Sequence, residues 1–547
     1  MSEPLGYVIK SLSHRNAIAI SRRPLPVGEY VSASFKTDDP IRGEKSVTVL
    51  GVVSLSSHLP AIPESVMKYV NPGHRPVASA LKYVESLLHI VAQVDQTTGN
   101  IEPPRYPIPP DTPLMSADPE LLSKIYGSKR GIVRLGVLAP RELGVEIKVD
   151  PNKLAKHLFI AGATGSGKSN TVAILADRLS QIGAPVIIFD VHGEYSITPE
   201  DGNVGRVIKV SAKINPLTIP PKMMASIIIE EPQARRQRRA LAVALRDLKK
   251  EIEKIKKEGF STEEAVLRLH ATIVTQKRRE VEDEELNWNS SRAVLRFKEL
   301  LECKVSGQYF LDEKLEKCKT GDTQVLTDGR QKETVVDKIE EFFENTPITL
   351  QEDPIVARAR NGTILVVDSS ELTDEQKRWV LKVLADSVLE RLKTARGTKS
   401  IVLVVEEAPL FLDRDLKHPV KQSLQRLARE GRKFGACLIV VSQRPRSLDV
   451  NVVSQLQNFV FLRMVQREDI ETVMNIADSL DESLASIIPS LPDGRAIIMG
   501  EWVGRFPALV DIDLHKGKRV GATPNLVELW DRGTRTEDLP SFPLEPF

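Results

Sequence analysis

Gly162-Ala163-Thr164-Gly165-Ser166-Gly167-Lys168-Ser169 has the spacing G-x-x-x-x-G-K-[ST]. Glycines at those positions let backbone amides close around a chain of phosphates. The lysine brings a cation to the β- and γ-phosphates, and the serine hydroxyl is a hard oxygen for Mg²⁺. The motif carries this meaning only when a strand precedes it and a helix follows. His157-Leu158-Phe159-Ile160-Ala161 is a short apolar run of strand type, and Asn170 to Ile182 reads as a helix stopped by Gly183. With both flanks in place, the chain is expected to bind a nucleoside triphosphate.

A second group of residues suits hydrolysis. Ile401-Val402-Leu403-Val404-Val405 is an apolar strand ending in Glu406 and Glu407. Behind a phosphate loop, Glu406 is expected to orient the Mg²⁺ shell and Glu407 to polarise the attacking water as general base. Ala436 to Ser442 is another buried strand, ending in Gln443-Arg444-Pro445, where an amide can sense the γ-phosphate. A helix from about Lys421 to Arg432 runs into Lys433-Phe434-Gly435. Arginines there either complete a neighbouring subunit's site or lie on an ordinary amphipathic helix. Asp190-Val191-His192-Gly193-Glu194-Tyr195 ends the strand that begins at Val186. It is either a turn with a helix cap or a loop beside the nucleotide, as the carboxyl ends of parallel strands commonly are.

These residues need a scaffold, and 547 residues are too many for one core, so three or four domains or subdomains are expected. Apolar content of 41% and charged content of 27% are those of a globular protein. A formal charge of +2 excludes a global field for nucleic acid, so any such contact must be local. Cys303, Cys318 and Cys437 lack metal-ligand spacing and read as reduced thiols of a cytosolic protein. No apolar run of membrane length is visible.

Residues 1–145 carry short strand-like runs at even spacing, the pattern of a small barrel or sandwich. Pro103 to Pro110 is expected to lie as an extended strap on the chain's own surface, or in a partner's groove. Residues 146–220 hold the phosphate-loop part of an α/β core. Residues 221–345 read as a helical insertion, with Leu241, Leu245, Leu248, Ile252 and Ile255 as an amphipathic stripe. The run Arg235-Arg236-Gln237-Arg238-Arg239 ahead of it is a phosphate contact or a solvated face, and 318–332 reads as a loop. The core resumes over 346–514.

The combination GATGSGKSN, FDVHGEY, VVEEA, LAREGRKFG and VSQRP resembles the HerA branch of the HerA–FtsK superfamily, the archaeal DNA translocases. The resemblance covers almost the whole chain. It implies a RecA-like P-loop NTPase core with an N-terminal β-barrel and a helical insertion, assembled as a homo-hexamer in the cytoplasm. It implies ATP and Mg²⁺ as cofactors, double-stranded DNA ends as substrate, and a NurA-type nuclease as partner in end resection. Carried over by position, Gly162 to Asn170 cradle the nucleotide, Lys168 is the phosphate lysine, and Ser169 and Glu406 serve the metal. Glu407 is the base, Gln443 the sensor, and Arg432 with Lys433 reach ATP across the subunit interface. Lys156 stands at a nucleotide-contacting position usually held by arginine, and Pro409 where a histidine commonly follows EEA. The tail 515–547 is then the segment that braces a neighbouring subunit. Arg414, Lys417, Lys421 and Arg446 are basic candidates for a DNA pore. The rival readings are a ring ATPase that remodels or secretes protein, and a conjugative-type DNA pump.

Overall fold

Val-, Ile- and Ala-rich runs with one face buried and one exposed build the N-terminal part, as period-two alternation requires. The computed structural model describes residues 3–39, 43–58, 84–127, 131–198, 206–231, 233–274, 290–306, 308–311, 314–317, 328–351, 355–394, 400–504 and 506–517. Strands β1 (Gly6–Ser11), β2 (Asn16–Ser21), β3 (Tyr30–Asp39), β4 (Gly43–His58), β5 (Val84–Asp95), β6 (Ile101–Glu102) and β7 (Pro113–Ser116) form one antiparallel sheet. Its order is β2-β1-β7-β3-β4-β5-β6, and β2 pairs back to β5, so the sheet closes into a barrel that leaves β6 as a flap. Val8, Ala19, Val49, Leu88 and Leu114 fill the interior. The Pro-rich stretch is a strap on this barrel. Arg105 donates its N–H to Gln93 Oε1 (2.8 Å), Ser11 Oγ donates to the Ile108 carbonyl (2.7 Å), and Ile108 is buried.

The core is one 11-stranded sheet. Its strands are β8 (Val133–Leu138), β9 (Glu146–Val149), β10 (Leu158–Ala161), β11 (Val186–Asp190), β12 (Arg206–Ser211), β15 (Thr363–Asp368), β16 (Ile401–Val405), β17 (Ala436–Ser442), β18 (Asn458–Phe461), β19 (Arg495–Gly500) and β20 (Ala508–Ile512). The order is β12-β15-β11-β16-β17-β10-β18-β19-β20-β8-β9. Strands from β12 to β18 in that order are parallel, and the remaining pairings are antiparallel. Because β8 and β9 extend this sheet, the boundary expected at residue 145 falls inside the core. The pairing of Leu138 with Val510 is what draws that segment away from the barrel. Across the junction, His89 of β5 lies 2.9 Å from the Asp481 carboxylate, and Tyr30 Oη accepts from the Leu509 N–H.

The insertion is helical, over Pro221–Ile228, Arg235–Lys256, Thr262–Val274, Ser290–Ser306 and Gly329–Asn345, with a hairpin of β13 (Gln308–Leu311) and β14 (Lys314–Lys317). Leu241, Leu245, Leu248 and Ile252 are its buried stripe. Arg238 donates to the carbonyls of Ile229 and Glu230, so this member of the basic run secures a chain reversal. The loop expected over 318–332 gives way to helix from Gly329, and 318–327, with Cys318, lies outside the described residues. Cys303 is disulfide-bonded, which corrects the reading of reduced thiols, whereas Cys437 is a free buried thiol pushed up to about 12 by burial. No helix among the described residues is long and apolar enough to cross a membrane.

Candidate nucleotide site

Strand order sets the site. The phosphate-loop strand β10 lies between β17 and β18, and β17 alone separates it from β16. The carboxyl ends of β10, β17, β16 and β11 therefore carry Gly162, Gln443, Glu406–Glu407 and Asp190 along one edge, where open α/β sheets bind ligands. After β10 the chain wraps tightly. Ala163 N–H donates to the Arg463 carbonyl (2.7 Å), and Gly494 N–H to that of Ser166 (2.9 Å). A Cβ at Gly162 would stand 2.6 Å from Ser166 Oγ and 2.8 Å from Leu462 Cβ. Gly167, at φ 110°, caps the helix Lys168–Gln181 with no side chain. The first amides of that helix are left for an external acceptor, and with the helix dipole they suit phosphate.

Lys168 is buried and folds back so that Nζ donates to the Ala163 carbonyl (2.9 Å). Burial lowers its pKa, opposed by the carboxylates of Glu407, Glu406 and Glu194. Glu407 has φ 44°, a left-handed conformation that is uncommon for a non-glycine residue. Successive residues of a strand face opposite sides, and this turn lets the second acid rejoin the site edge. Its carboxylate accepts from Gln443 Nε2, and Gln443 Oε1 accepts from Thr164 Oγ1 at 2.6 Å. His192 Nε2 stands 3.9 Å from the same carboxylate. An amide thus spans from the phosphate loop to the acid.

Glu406 is buried. Burial pushes its carboxyl up to about 7, and Glu407 adds to the rise, while the Tyr195 hydroxyl opposes it. Tyr195 Oη donates to Glu406, and Ser169 lies beside it. A hydroxyl and a carboxylate at one edge of the sheet fit Mg²⁺, a hard cation that takes few protein oxygens and shares the rest with phosphates and water. Bound there, the ion would neutralise charge on the terminal phosphates.

The remaining predicted residues fall into three groups. Arg432 and Lys433 lie in a short 3₁₀ turn after the helix Pro419–Glu430, both exposed, and neither is hydrogen-bonded or ion-paired to a described residue. Lys156, at the end of the 3₁₀ segment Pro151–Lys156, is ion-paired to Glu501. Asn170 is buried, and its side chain is committed to the Asp513 carbonyl and the His515 N–H, which leaves only its backbone N–H for the expected nucleotide contact. Of the pore candidates, Lys421 donates to the Asp413 and Arg414 carbonyls and Arg414 to the Arg446 carbonyl, so they hold their own loop. Arg446 is 3.5 Å from Glu468, and Lys417 is exposed. Residues 513–517 sit on this chain's own phosphate-loop helix, and 518–547 lie outside the described residues. Reading the sequence left open the roles of Tyr195 and Asp190, although their place at the end of β11 was the available signal.

A family profile described as "Helicase HerA, central domain" matches residues 133–388. The chain is 31% identical over 537 residues to the DNA double-strand break repair helicase HerA of Sulfurisphaera tokodaii, covering 96% of both chains. It is 30% identical over 545 residues to the protein of that name from Sulfolobus acidocaldarius, covering 97% of this chain and 98% of the relative. The chain belongs to the HerA helicase family. HerA membership makes it an ATP-driven P-loop enzyme of the helicase class. Among solved structures, the bacterial conjugative coupling protein TrwB is similar with a TM-score of 0.43 and 17% identity, over 75% of this chain and 94% of that one.

Proposed function

We propose that this HerA-family chain is an ATP-driven translocase and helicase acting on double-stranded DNA ends during break repair, as a homo-hexameric ring working with a NurA-type nuclease. The observation that carries the reading is the bridge Thr164–Gln443–Glu407, which ties the state of the phosphate loop to the acid that would activate water. A holder of nucleotide has no need of such a link, whereas a motor must convert hydrolysis into movement. The names of the relatives support DNA breaks as the place of action.

In this reading Lys168 and the helix amides bind the triphosphate, Ser169 and Glu406 hold Mg²⁺, and Glu407 takes a proton from water. Gln443 releases Glu407 or holds it according to what lies against Thr164. Exposed Arg432 and Lys433 serve the ATP of the next subunit, and Lys156 contacts nucleotide once freed from Glu501. Contacts to the DNA backbone make binding salt-dependent and largely independent of sequence.

The test is ATP turnover with and without linear duplex DNA. Stimulation by DNA ends is expected. Stimulation by unfolded protein and none by DNA would favour a protein-remodelling ring. Glu407→Gln should lower turnover by about 10² or more while ATP still binds.

A further inference from the structure

Tyr195 occupies an unusual place for an aromatic side chain. Its ring is buried, yet its hydroxyl donates to the Glu406 carboxylate beside Ser169. The loop behind it is rigidly built. Asp190 Oδ1 accepts from the N–H groups of His192 (3.2 Å), Gly193 (2.9 Å) and Glu194 (3.2 Å), and Oδ2 accepts from Tyr195 N–H (2.9 Å). Gly193 takes φ 74°, and a Cβ there would stand 3.1 Å from Ser370 Oγ. Ser369 donates both its N–H (2.9 Å) and its hydroxyl (2.8 Å) to the Asp190 carbonyl. A carboxylate that gathers four amides couples residues 192–195, so that displacing Tyr195 loosens all four bonds together.

The hydroxyl of Tyr195 and a cation held by Ser169 and Glu406 would compete for the Glu406 carboxylate. We propose that Tyr195 is a positioning residue. It holds the Glu406 carboxylate in place, and its hydroxyl must withdraw for Mg²⁺ to be seated there, so that metal loading moves the loop 191–195. The inference rests on the assignment of Ser169 and Glu406 as the pair that holds the metal.

The experiment is a Mg²⁺ titration of fluorescent ADP binding, run on the full chain and on Tyr195→Phe. The phenylalanine keeps the ring and removes only the competing hydroxyl. The Mg²⁺ concentration at half-binding should fall by roughly 10-fold, the scale of a hydrogen bond to a charged group. Affinity for the nucleotide in EDTA should stay within about 2-fold, a split that a merely structural role would not produce. An unchanged Mg²⁺ requirement would overturn the proposal, and so would a raised one, which would make Tyr195 a support of the metal. If the unaltered chain binds ADP equally with Mg²⁺ and with EDTA, the metal assignment falls first and the proposal with it. Should Tyr195→Phe fold poorly, hydrogen exchange on the unaltered chain decides. Amides 192–195 should exchange faster with ADP and Mg²⁺ than with ADP and EDTA, and equal rates would overturn the proposal.

Discussion

The Asn170 side-chain amide donates to the Asp513 carbonyl at 2.9 Å, joining the first turn of the phosphate-loop helix to a segment 343 positions further along the chain. The Asp513 carboxylate is in turn 2.9 Å from both Arg134 and Arg178, and Arg178 lies on the same helix. Two polar clasps thus hold the helix that presents Lys168 and Ser169.

Replacing Asp513 with Ala should therefore destabilise the core, because it leaves Arg178, largely buried, without its carboxylate. A loss of about 3 kcal/mol is expected for breaking such a pair. Thermal unfolding in the absence of nucleotide would measure it. Asn170→Ala should cost about 1–3 kcal/mol through its unpaired partners. ADP affinity should fall only a few-fold, whereas an Asn170 that touched nucleotide directly would lose binding first.

Gln443→Ala removes the link between Thr164 and Glu407. Turnover should drop by about 10-fold to 10²-fold, with ATP binding nearly intact, as expected for a group that orients a base. Rapid-quench measurement of a single turnover would separate this from slow product release. A variant that hydrolyses normally but no longer responds to DNA would assign Gln443 to coupling alone.

For the ring proposed above, assemblies mixed from Arg432→Ala and Lys168→Ala subunits test whether the site is shared. Each homogeneous ring lacks a complete interface, but a mixture restores some in which an intact phosphate loop faces an intact arginine. Turnover in the mixture should exceed that of either parent. Removing the arginine from every interface should cost roughly 10³-fold. Titration against unaltered subunits shows how many successive interfaces a turnover requires.

Glu302, on the insertion helix Ser290–Ser306, is buried, and its carboxyl is pushed up to about 7, chiefly by burial, with Lys298 3.6 Å away as partial relief. Its folded value lies above the unfolded 4.5, so the folded chain holds the extra proton between those values. Stability should fall as pH rises through that window, on the order of 3 kcal/mol in all. Glu302→Gln should flatten the slope of melting temperature between pH 5 and pH 7.5. A slope equal to that of the unaltered chain would assign it to other groups.

Much of this arrangement was legible in the residues themselves. The phosphate loop, the acid pair and Gln443 each sit at the end of a continuous apolar run, which suits a strand buried on both faces, as in a parallel sheet. The stripe Leu241–Ile252 declared its helix by period. Other features depend on partners far away in sequence. Nothing local to Asn170 says that its amide meets Asp513, and nothing in Val133–Leu138 says that it pairs with Ala508–Ile512. Lys421 reads as a free cation until the carbonyls of Asp413 and Arg414 fold onto it.

The pairing of β8 with β20 sets a clock on biogenesis. Val137 and Leu138 leave the ribosome about 370 positions ahead of their partners Asp511 and Val510. At roughly 5–20 residues per second, β8 and β9 wait on the order of 20–70 s with an open edge. The clasp on the phosphate-loop helix comes from the same late segment. A competent nucleotide pocket cannot precede the last stretch of core to be made. A nascent chain stalled before residue 508 should therefore engage chaperones through that edge, and should gain affinity for ADP only after release.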